Sequence, residues 1–232
     1  DITGSPDLTA ANNQLSRFTS MALGTPQTLY IIHTNGVDAP RQWNATAASF
    51  SAVSGSPPNW TDIANVDEHI IGIVPPFDVR WGNTQAIDTY PAANIRVLSD
   101  TPDTLKAIAS LGIRAGVTYK SRSIWDVVPT GSSTESEYFR FDMRIQVDGP
   151  ASAAAVVNLD GAHGYMTPAG RIGFYKGSRH LWIGDGVWPL VQADIDSAYT
   201  DRIFSAYDPL YKIAVFVYPK TGDSGDCKGW VV

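Results

Sequence analysis

The amino-acid sequence predicts an all-β protein, arranged as a β-propeller-like array of about five antiparallel meander blades. Turn and strand formers are abundant, with 20 Gly, 15 Pro, 7 Trp, 10 Tyr and 8 Phe, whereas Glu, a good helix former, occurs only three times. Short apolar runs also recur at a nearly constant interval, because those starting at Leu29, Ile70, Gly116, Ile172 and Ile213 lie 41, 46, 56 and 41 residues apart. One four-stranded propeller blade takes roughly 40–50 residues, so the spacing predicts a degenerate repeat.

A single meander of this size is too small to bury both of its faces. Neighbouring copies must therefore pack side by side, and circular closure protects most strand edges. The spacing alone leaves a β-sandwich or several small sheets open as alternatives. It also leaves open whether the ring of blades is closed or incomplete.

Composition and charge restrict the classes of function. With 17 Lys and Arg against 23 Asp and Glu, the net charge of -6 disfavours a broad nucleic-acid-binding surface. A single cysteine, Cys227, excludes an internal disulfide framework and a multi-cysteine metal site. No run approaches the roughly 18 apolar residues of a membrane span, and residues 1–20 lack the features of a secretory signal. Because the chain begins without Met, we expect it to be processed or to belong to a longer protein.

The first elements are predicted from turn residues and β-branched runs. Residues 1–27 are polar and interrupted by Gly and Pro, so we expect an N-terminal arm or a partial first element there, rather than a core strand, and a propeller-like domain in residues 28–232. Residues 28–33 and 41–44 predict a hairpin around Asn35-Gly36. Residues 48–67 are rich in Ser, Pro, Asn and Gly and predict a loop.

A second β unit follows, with strands expected at residues 69–74, 77–81 and 94–98. A short helix is expected from Pro102 to Ser110. Thr101 can cap such a helix, Pro102 suits its first position, and Leu105, Ile108 and Leu111 recur at helical spacing.

Three further units complete the chain. The third contains strands at residues 114–119 and 123–128 and the clearest alternation, in which one face carries Phe139, Phe141, Met143, Ile145 and Val147. The fourth unit covers residues 171–191. The fifth places strands at residues 203–207, 211–218 and 227–232.

Several segments carry a resemblance to a known family. In residues 29–44 an expected strand is followed by Asn-Gly-Val-Asp-Ala-Pro and Trp-Asn, and in residues 95–105 another is followed by Ser-Asp-Thr-Pro-Asp-Thr-Leu. Residues 117–125 contain Lys-Ser-Arg-Ser-Ile-Trp. In the last segment, residues 204–219 with 227–232, Tyr-Asp-Pro joins two expected strands. These motifs, in this order, resemble the β-propeller repeats of bacteriophage tail and head-to-tail proteins, such as hub or nozzle components of short-tailed phages. Because such proteins usually run longer at both ends, the resemblance implies a part of a larger protein or a partial ring completed by partners.

Catalytic and metal-binding patterns are weak. Gly222-Asp223-Ser224-Gly225 copies the nucleophile segment of trypsin-like proteases, with His33 as a candidate base, but only eight residues follow Ser224, so we interpret the segment as a polar turn. The four histidines, His33, His69, His163 and His180, lack metal-ligand spacing. Asp194-Ile195-Asp196 and Asp223/Asp226 lack a full calcium loop, and no carboxylate pair indicates a glycosidase. The sequence therefore predicts no catalytic, cofactor-binding or metal-binding residues.

Two residue classes leave alternatives open. Basic residues are concentrated in the middle of the chain, where they are Arg114, Lys120, Arg122, Arg140, Arg144, Arg171, Lys176 and Arg179. They could line a DNA passage in a tail channel or form an ordinary solvated face. The tryptophans either pack between blades and subunits, as expected for Trp125, Trp182 and Trp230, or serve as sugar platforms, for which the candidates are Trp60, Trp81 and Trp188.

The resemblance implies a non-enzymatic virion protein of the phage tail or neck. We expect it to form a rigid homo-oligomeric ring that docks other tail and connector proteins. The alternative from another class is a carbohydrate-binding or glycan-hydrolysing propeller, and a third is a secreted binding module.

Overall fold

Residues 15–232, the part of the chain that this computed structural model describes, form nineteen β-strands in five small antiparallel sheets. The sheets are arranged as a five-bladed β-propeller, so the predicted fold class is confirmed. Four blades have four strands and the fifth has three, and within each blade the strands are neighbours in sequence order.

Blade 1 contains β1 (Arg17–Leu23), β2 (Thr28–Thr34), β3 (Arg41–Asn44) and β4 (Ser51–Ala52). The predicted hairpin between β2 and β3 is present, with Ile32 opposite Gln42. Of the arm or partial first element expected over residues 1–27, residues 17–23 form the first element of blade 1 and pair with β2 along their whole length, so the expectation that they contain no core strand is wrong. Met21 is buried, although its polar neighbours conceal the strand in the sequence. The remainder of the expected arm, residues 1–14, lies outside the described residues.

Blade 2 contains β5 (Asp62–Val66), β6 (His69–Val74), β7 (Asp78–Trp81) and β8 (Ile95–Val97). The expected loop over residues 48–67 is wrong in part, because it includes β4 and β5. The turn from β5 to β6 is made by Asp67 and Glu68, with positive φ angles of 46° and 62°. Left-handed backbone in a two-residue hairpin usually calls for Gly or Asn, so the sequence lacks the ordinary signal for this hairpin.

Blade 3 contains β9 (Leu105–Leu111), β10 (Ala115–Lys120), β11 (Ser123–Pro129) and β12 (Phe139–Gln146). The helix expected from Pro102 to Ser110 is wrong, since this segment contains most of β9, which pairs with β10. Leu105, Ala107 and Ile108 are all buried because β9 is covered on both faces, and such a strand can imitate helical spacing. In β12 the predicted alternation holds for Phe139 and Phe141, which are buried, whereas Met143 is exposed.

Blade 4 contains β13 (Val156–Asn158), β14 (His163–Met166), β15 (Ile172–Lys176) and β16 (Arg179–Ile183). Residues 187–191, expected to belong to the fourth β unit, mostly form the start of α1 (Trp188–Asp194), with Pro189 in its first turn. The strands β13 and β14 have no counterpart in the sequence analysis.

Blade 5 contains β17 (Phe204–Asp208), β18 (Ile213–Pro219) and β19 (Cys227–Val231), close to the predicted strands. The structure also explains the irregular 56-residue interval. Ile172 begins the third strand of its blade, whereas the other four starts lie in second strands. Second strands begin at Thr28, His69, Ala115, His163 and Ile213, which gives intervals of 41, 46, 48 and 50 residues.

Each blade packs on the next through its own hydrophobic cluster, and the first strands contact one another in order. Prominent members are Ile32, Trp60 and Ile70 between blades 1 and 2, Ile71, Trp81 and Trp125 between blades 2 and 3, Tyr119, Tyr165 and Tyr175 between blades 3 and 4, and Met166, Ile203 and Phe216 between blades 4 and 5. Within residues 15–232, no such cluster joins blade 5 to blade 1.

Candidate functional site

The protease-like segment lies in the turn before β19, where Ser224 adopts a left-handed φ of 55°. His33, its candidate base, lies in blade 1 and shares a 2.9 Å hydrogen bond with the hydroxyl of Ser16. Burial lowers the pKa of His33, and the nearby Arg41 lowers it further. The hydrogen bonds of the described residues therefore engage His33 locally and do not connect it to Ser224.

The other three histidines lie at or inside the blades. His69 contacts Glu135, His163 lies between Tyr119 and the carbonyl of Ser110, and His180 contacts Tyr165. Among residues 15–232, no group of three or more His, Cys, Asp or Glu side chains is arranged to hold a metal ion.

The candidate sugar platforms are largely covered. Trp60 and Trp81 are buried, so the hypothesis that their faces stack on a sugar is wrong. Trp188 is half-buried, and its ring centre lies 4.9 Å from the Arg171 guanidinium. Trp125 is buried between blades as expected, whereas Trp230 is 68% exposed.

Most of the mid-chain basic residues have acidic or structural partners. Arg114 pairs with Asp67, Arg140 with Asp142, Arg144 with Asp126 and Arg171 with Asp185, and Lys120 is fully buried. Central cavities of the propeller are lined by other residues. A DNA passage along these basic residues stays a prediction.

The first strands of the blades surround a central funnel. At one end lies a cavity of about 560 Å³, lined by residues of blades 1 to 4. There the Asn65 side-chain amide donates to the carbonyl of Ser20 at 2.9 Å, and Asn158 donates to the carbonyl of Ser110 at 3.0 Å. Each amide thus joins the first strands of two neighbouring blades. The cavity at the other end, about 440 Å³, is lined by residues in and beside blades 1 to 3 and by the segments that precede blades 4 and 5, from Leu15 to Asp201.

A buried ion pair joins blades 1, 2 and 3 at the funnel wall. Arg17 Nε donates to Asp62 Oδ1 at 2.7 Å, and Asp62 Oδ2 accepts from the backbone N–H of Ile108 at 2.8 Å. Burial raises the pKa of Asp62, while Arg17 and the hydrogen bonds act in the opposite direction. One carboxylate therefore connects three consecutive blades.

Lys120 connects blade 3 to the segment that leaves blade 2. Its Nζ donates to the carbonyls of Leu98 and Thr101 at 2.7 and 2.9 Å and to the Thr101 hydroxyl at 2.7 Å. It also lies 3.3 Å from Asp103 Oδ1. Although burial acts to raise the pKa of Asp103, hydrogen bonds that include the backbone N–H of Arg122 lower it overall. The ammonium is thus fully enclosed by oxygen partners.

A second polar network joins blades 2 and 3 farther along the same junction. His69 Nε2 lies 3.0 Å from Glu135 Oε2 and 2.9 Å from the Thr84 hydroxyl. Glu135 Oε1 accepts from that hydroxyl at 2.9 Å, and the Glu135 carbonyl accepts from Trp81 Nε1 at 2.8 Å. Burial acts to raise the pKa of Glu135, but the bonds from Thr84 and His69 lower it overall. The network fixes the loop before β12 against blade 2.

Between blades 3 and 4, Asp126 accepts from Tyr175 Oη at 2.6 Å and from Arg144 Nε at 2.6 Å. Tyr119 Oη and His163 Nδ1 lie 2.8 Å apart in the same junction. Burial raises the pKa of the Tyr175 hydroxyl, with Asp126 adding to this effect. Charged and polar side chains of three successive junctions therefore act as ties between blades, and this arrangement predicts a rigid body.

Blade 5 presents a different feature, an apolar sheet face that no other blade covers. Phe204, Val217 and Trp230 lie opposite one another across the three strands. We define the blade 5 patch as the exposed Phe204, Ile213 and Trp230 of this face together with the exposed Leu210 and Tyr211 of the adjoining β17–β18 turn, whose exposed fractions lie between 40% and 79%. The opposite face of the sheet, including Phe216, packs on blade 4.

The blade 5 patch was not predicted from the sequence. The run Ile-Ala-Val-Phe-Val-Tyr at residues 213–218 carries a signal for it. Both alternating sets of side chains in this run are apolar, which predicts a strand covered on both faces. Within residues 15–232 only one face is covered, and that difference marks the patch as a surface without a neighbour in this part of the chain.

No family model matches the chain, and no curated protein matches it. Within residues 15–232, none of the helices has the length and apolar character required to cross a bilayer.

Proposed function

We propose that the chain is a non-enzymatic structural protein of a bacteriophage virion, located in the tail or neck as part of a hub or nozzle. The observation that carries the proposal is the blade 5 patch, an apolar sheet face on an otherwise internally tied propeller. Soluble monomers rarely expose large contiguous apolar patches, and such surfaces typically mark interaction sites.

The junctions supply the second half of the argument. Arg17 with Asp62, Lys120 with Asp103, and Asp126 with Tyr175 each connect neighbouring blades. The first two contacts are ion pairs, of which the Lys120 pair is fully buried and the Arg17 pair partly so, and the third is a hydrogen bond from Tyr175 to a carboxylate. Breaking a buried ion pair costs several kcal/mol and losing a hydrogen bond to a charged group about 1.5–3 kcal/mol, so relative movement of these blades is opposed. A rigid propeller with an exposed apolar face on its last blade suits a structural subunit. We propose that this subunit forms a homo-oligomeric ring and docks other tail or connector proteins. The sequence resemblance to phage propeller repeats supports the same role.

The test is the location of the chain in particles. Virions of the encoding phage are purified, treated with nuclease and protease, and analysed by quantitative mass spectrometry and single-particle reconstruction. We expect the chain at a fixed copy number in the tail or neck. Its absence from intact particles, with presence in the lysate, would refute the proposal.

A glycan-array and hydrolase screen on the purified protein tests the carbohydrate alternative. We expect neither binding nor turnover. Hydrolysis that disappears when a single Asp is changed to Asn would show that the non-enzymatic assignment is wrong.

A further inference from the structure

The blade 5 patch has the size and composition of half of a protein interface. A large apolar side chain carries roughly 150–250 Å² of surface. At exposed fractions of 40–79%, the five side chains of the patch present on the order of 500 Å². A standard interface buries about 800 Å² on each partner, including a polar rim, so the patch alone supplies most of one side.

The chemistry of the patch is that of an interface core. It contains Trp, Tyr and Phe, the residues enriched at such cores, and its middle strand contributes Val215 and Val217 to the same face. In β17 to β19 and the β17–β18 turn, the charged residues are Asp208, Lys212 and Lys228. They lie in the turn or near the ends of strands, which leaves the centre of the face uncharged.

The partner must offer an apolar sheet face of similar area. The free face of blade 1 is a poor match, because its largely exposed apolar side chains are Phe18 and Leu29, beside the exposed Ser20 and Ala22. The blade 5 patch of a second copy of the chain has the same area and the same apolar character, so it meets this requirement. Two such sheets can pack face to face, in the way that sheets pack in β-sandwiches, and a two-fold axis then brings like residues together.

We propose that the blade 5 patch is a self-association surface through which two copies of this chain form an isologous, two-fold symmetric dimer. In this dimer Trp230 and Phe204 of each copy lie near the centre of the interface and exclude water from it. The inference rests on the proposed structural role in one respect, that it names one surface by which the building block associates with itself. Because an isologous contact closes at two copies, the ring of the proposed function needs a second, heterologous contact that forms during particle assembly.

Sedimentation velocity and equilibrium of the 232-residue chain test the proposal, from about 1 to 200 μM. We expect a reversible monomer–dimer equilibrium without larger species. Trp230→Glu places a charge at the centre of the patch, and central aromatic residues are typical binding hot spots, so the dimer dissociation constant should rise by about 30-fold or more. Leu210→Glu, in an exposed turn of the same patch, should act in the same direction.

Two matched controls carry the same substitution at exposed apolar positions outside the patch, Ile113→Glu in blade 3 and Phe18→Glu in blade 1. Both should dimerise like the unaltered chain, with circular dichroism showing that every variant folds. If Trp230→Glu does not fold, Leu210→Glu decides.

Three results would overturn the inference. The first is a monomer at every concentration, and the second is a dimer that survives both patch substitutions. The third is association lost equally in Phe18→Glu or Ile113→Glu, which would indicate a head-to-tail or non-specific contact. These outcomes are separate from the particle experiment, since a chain found in virions that is monomeric when isolated refutes only the self-association surface.

Discussion

Replacing Lys120 by Met tests whether the polar ties between blades hold the propeller together. The unbranched Met side chain can follow the path of the lysine stem, so the volume is largely retained, whereas the contacts of the ammonium with the rings of Phe77 and Trp125, at 5.2 and 6.0 Å, are removed. What is lost is the ammonium, and with it hydrogen bonds to Leu98 and Thr101 and the ion pair with Asp103. The Asp103 side chain is only 7% exposed, and apart from the ammonium of Lys120 its Oδ1 has no hydrogen-bond partner among residues 15–232, so the substitution leaves a buried, uncompensated carboxylate oxygen.

Removing one partner of a buried ion pair typically costs about 3–5 kcal/mol. For a domain of this size each kcal/mol lowers the melting temperature by about 2–4 °C, so Lys120→Met should lower it by roughly 6–20 °C. Asp103→Asn in the same background removes the stranded charge and should recover about 1–2 kcal/mol. The measurement is urea unfolding followed by circular dichroism for both single variants and the double variant.

Lys176→Met is the matched control, because Lys176 is exposed at the end of β15 and its replacement should change the free energy of unfolding by less than about 0.5 kcal/mol. A loss below 1 kcal/mol in Lys120→Met would refute the reasoning. So would strict additivity of the two single variants, because it would mean that Lys120 and Asp103 do not interact.

Two further predictions concern other junctions. Burial lowers the pKa of His163 to about 4 from its ordinary value of 6.5, so between these pH values the unfolded chain binds a proton that the folded chain does not. The free energy of unfolding should therefore fall as the pH falls through this window, by up to about 3 kcal/mol for this group. The urea midpoint of His163→Gln should decline less between pH 7 and pH 4 than that of the unaltered chain. Equal declines would contradict the assignment of this pH dependence to His163. At Gly72, an added Cβ would lie 2.5 Å from Trp60 Cγ, so Gly72→Ala should destabilise the chain by about 1–3 kcal/mol in the same unfolding assay. Gly186→Ala, where an added Cβ meets no atom within 4 Å, should change stability by less than about 1 kcal/mol, and similar losses in both variants would show that packing against Trp60 is not the cause.

The sequence predicts the architecture better than the individual elements. Strands with alternating or continuous apolar residues, such as β6 and β18, are found close to their expected positions because their pattern reflects burial directly. Strands β1 and β13 were not predicted, since Arg17–Leu23 and Val156–Asn158 are short or interleaved with polar residues that face the funnel or a neighbouring blade. Their identity as strands depends on pairing partners elsewhere in the chain, which local composition does not encode.

The polar ties between blades illustrate a second limit. In the sequence, Lys120 is one of the mid-chain basic residues and Asp103 lies in the helix expected from Pro102 to Ser110. Only the register of β10 against β9, with a shift at Lys120, brings that side chain under the segment from Leu98 to Asp103. Charge in a sequence thus predicts exposure, and the exceptions arise where a folded junction supplies enough oxygen partners to compensate for burial.

The strongest contrast lies between two strands of nearly the same composition. β6, His69–Val74, is buried over its first five residues because blades 1 and 3 cover its two faces. β18, Ile213–Pro219, has the same apolar texture, yet Ile213 remains 40% exposed and only the side of Phe216 is covered. The two strands have similar local sequences, so the difference in burial comes from their positions in the array. Blade 2 has a blade packed on each side, whereas blade 5 has only blade 4 packed on it within residues 15–232. A face composed for burial but left open within residues 15–232 calls for a neighbour beyond those residues, and the proposed self-association surface names a second copy of the chain as that neighbour.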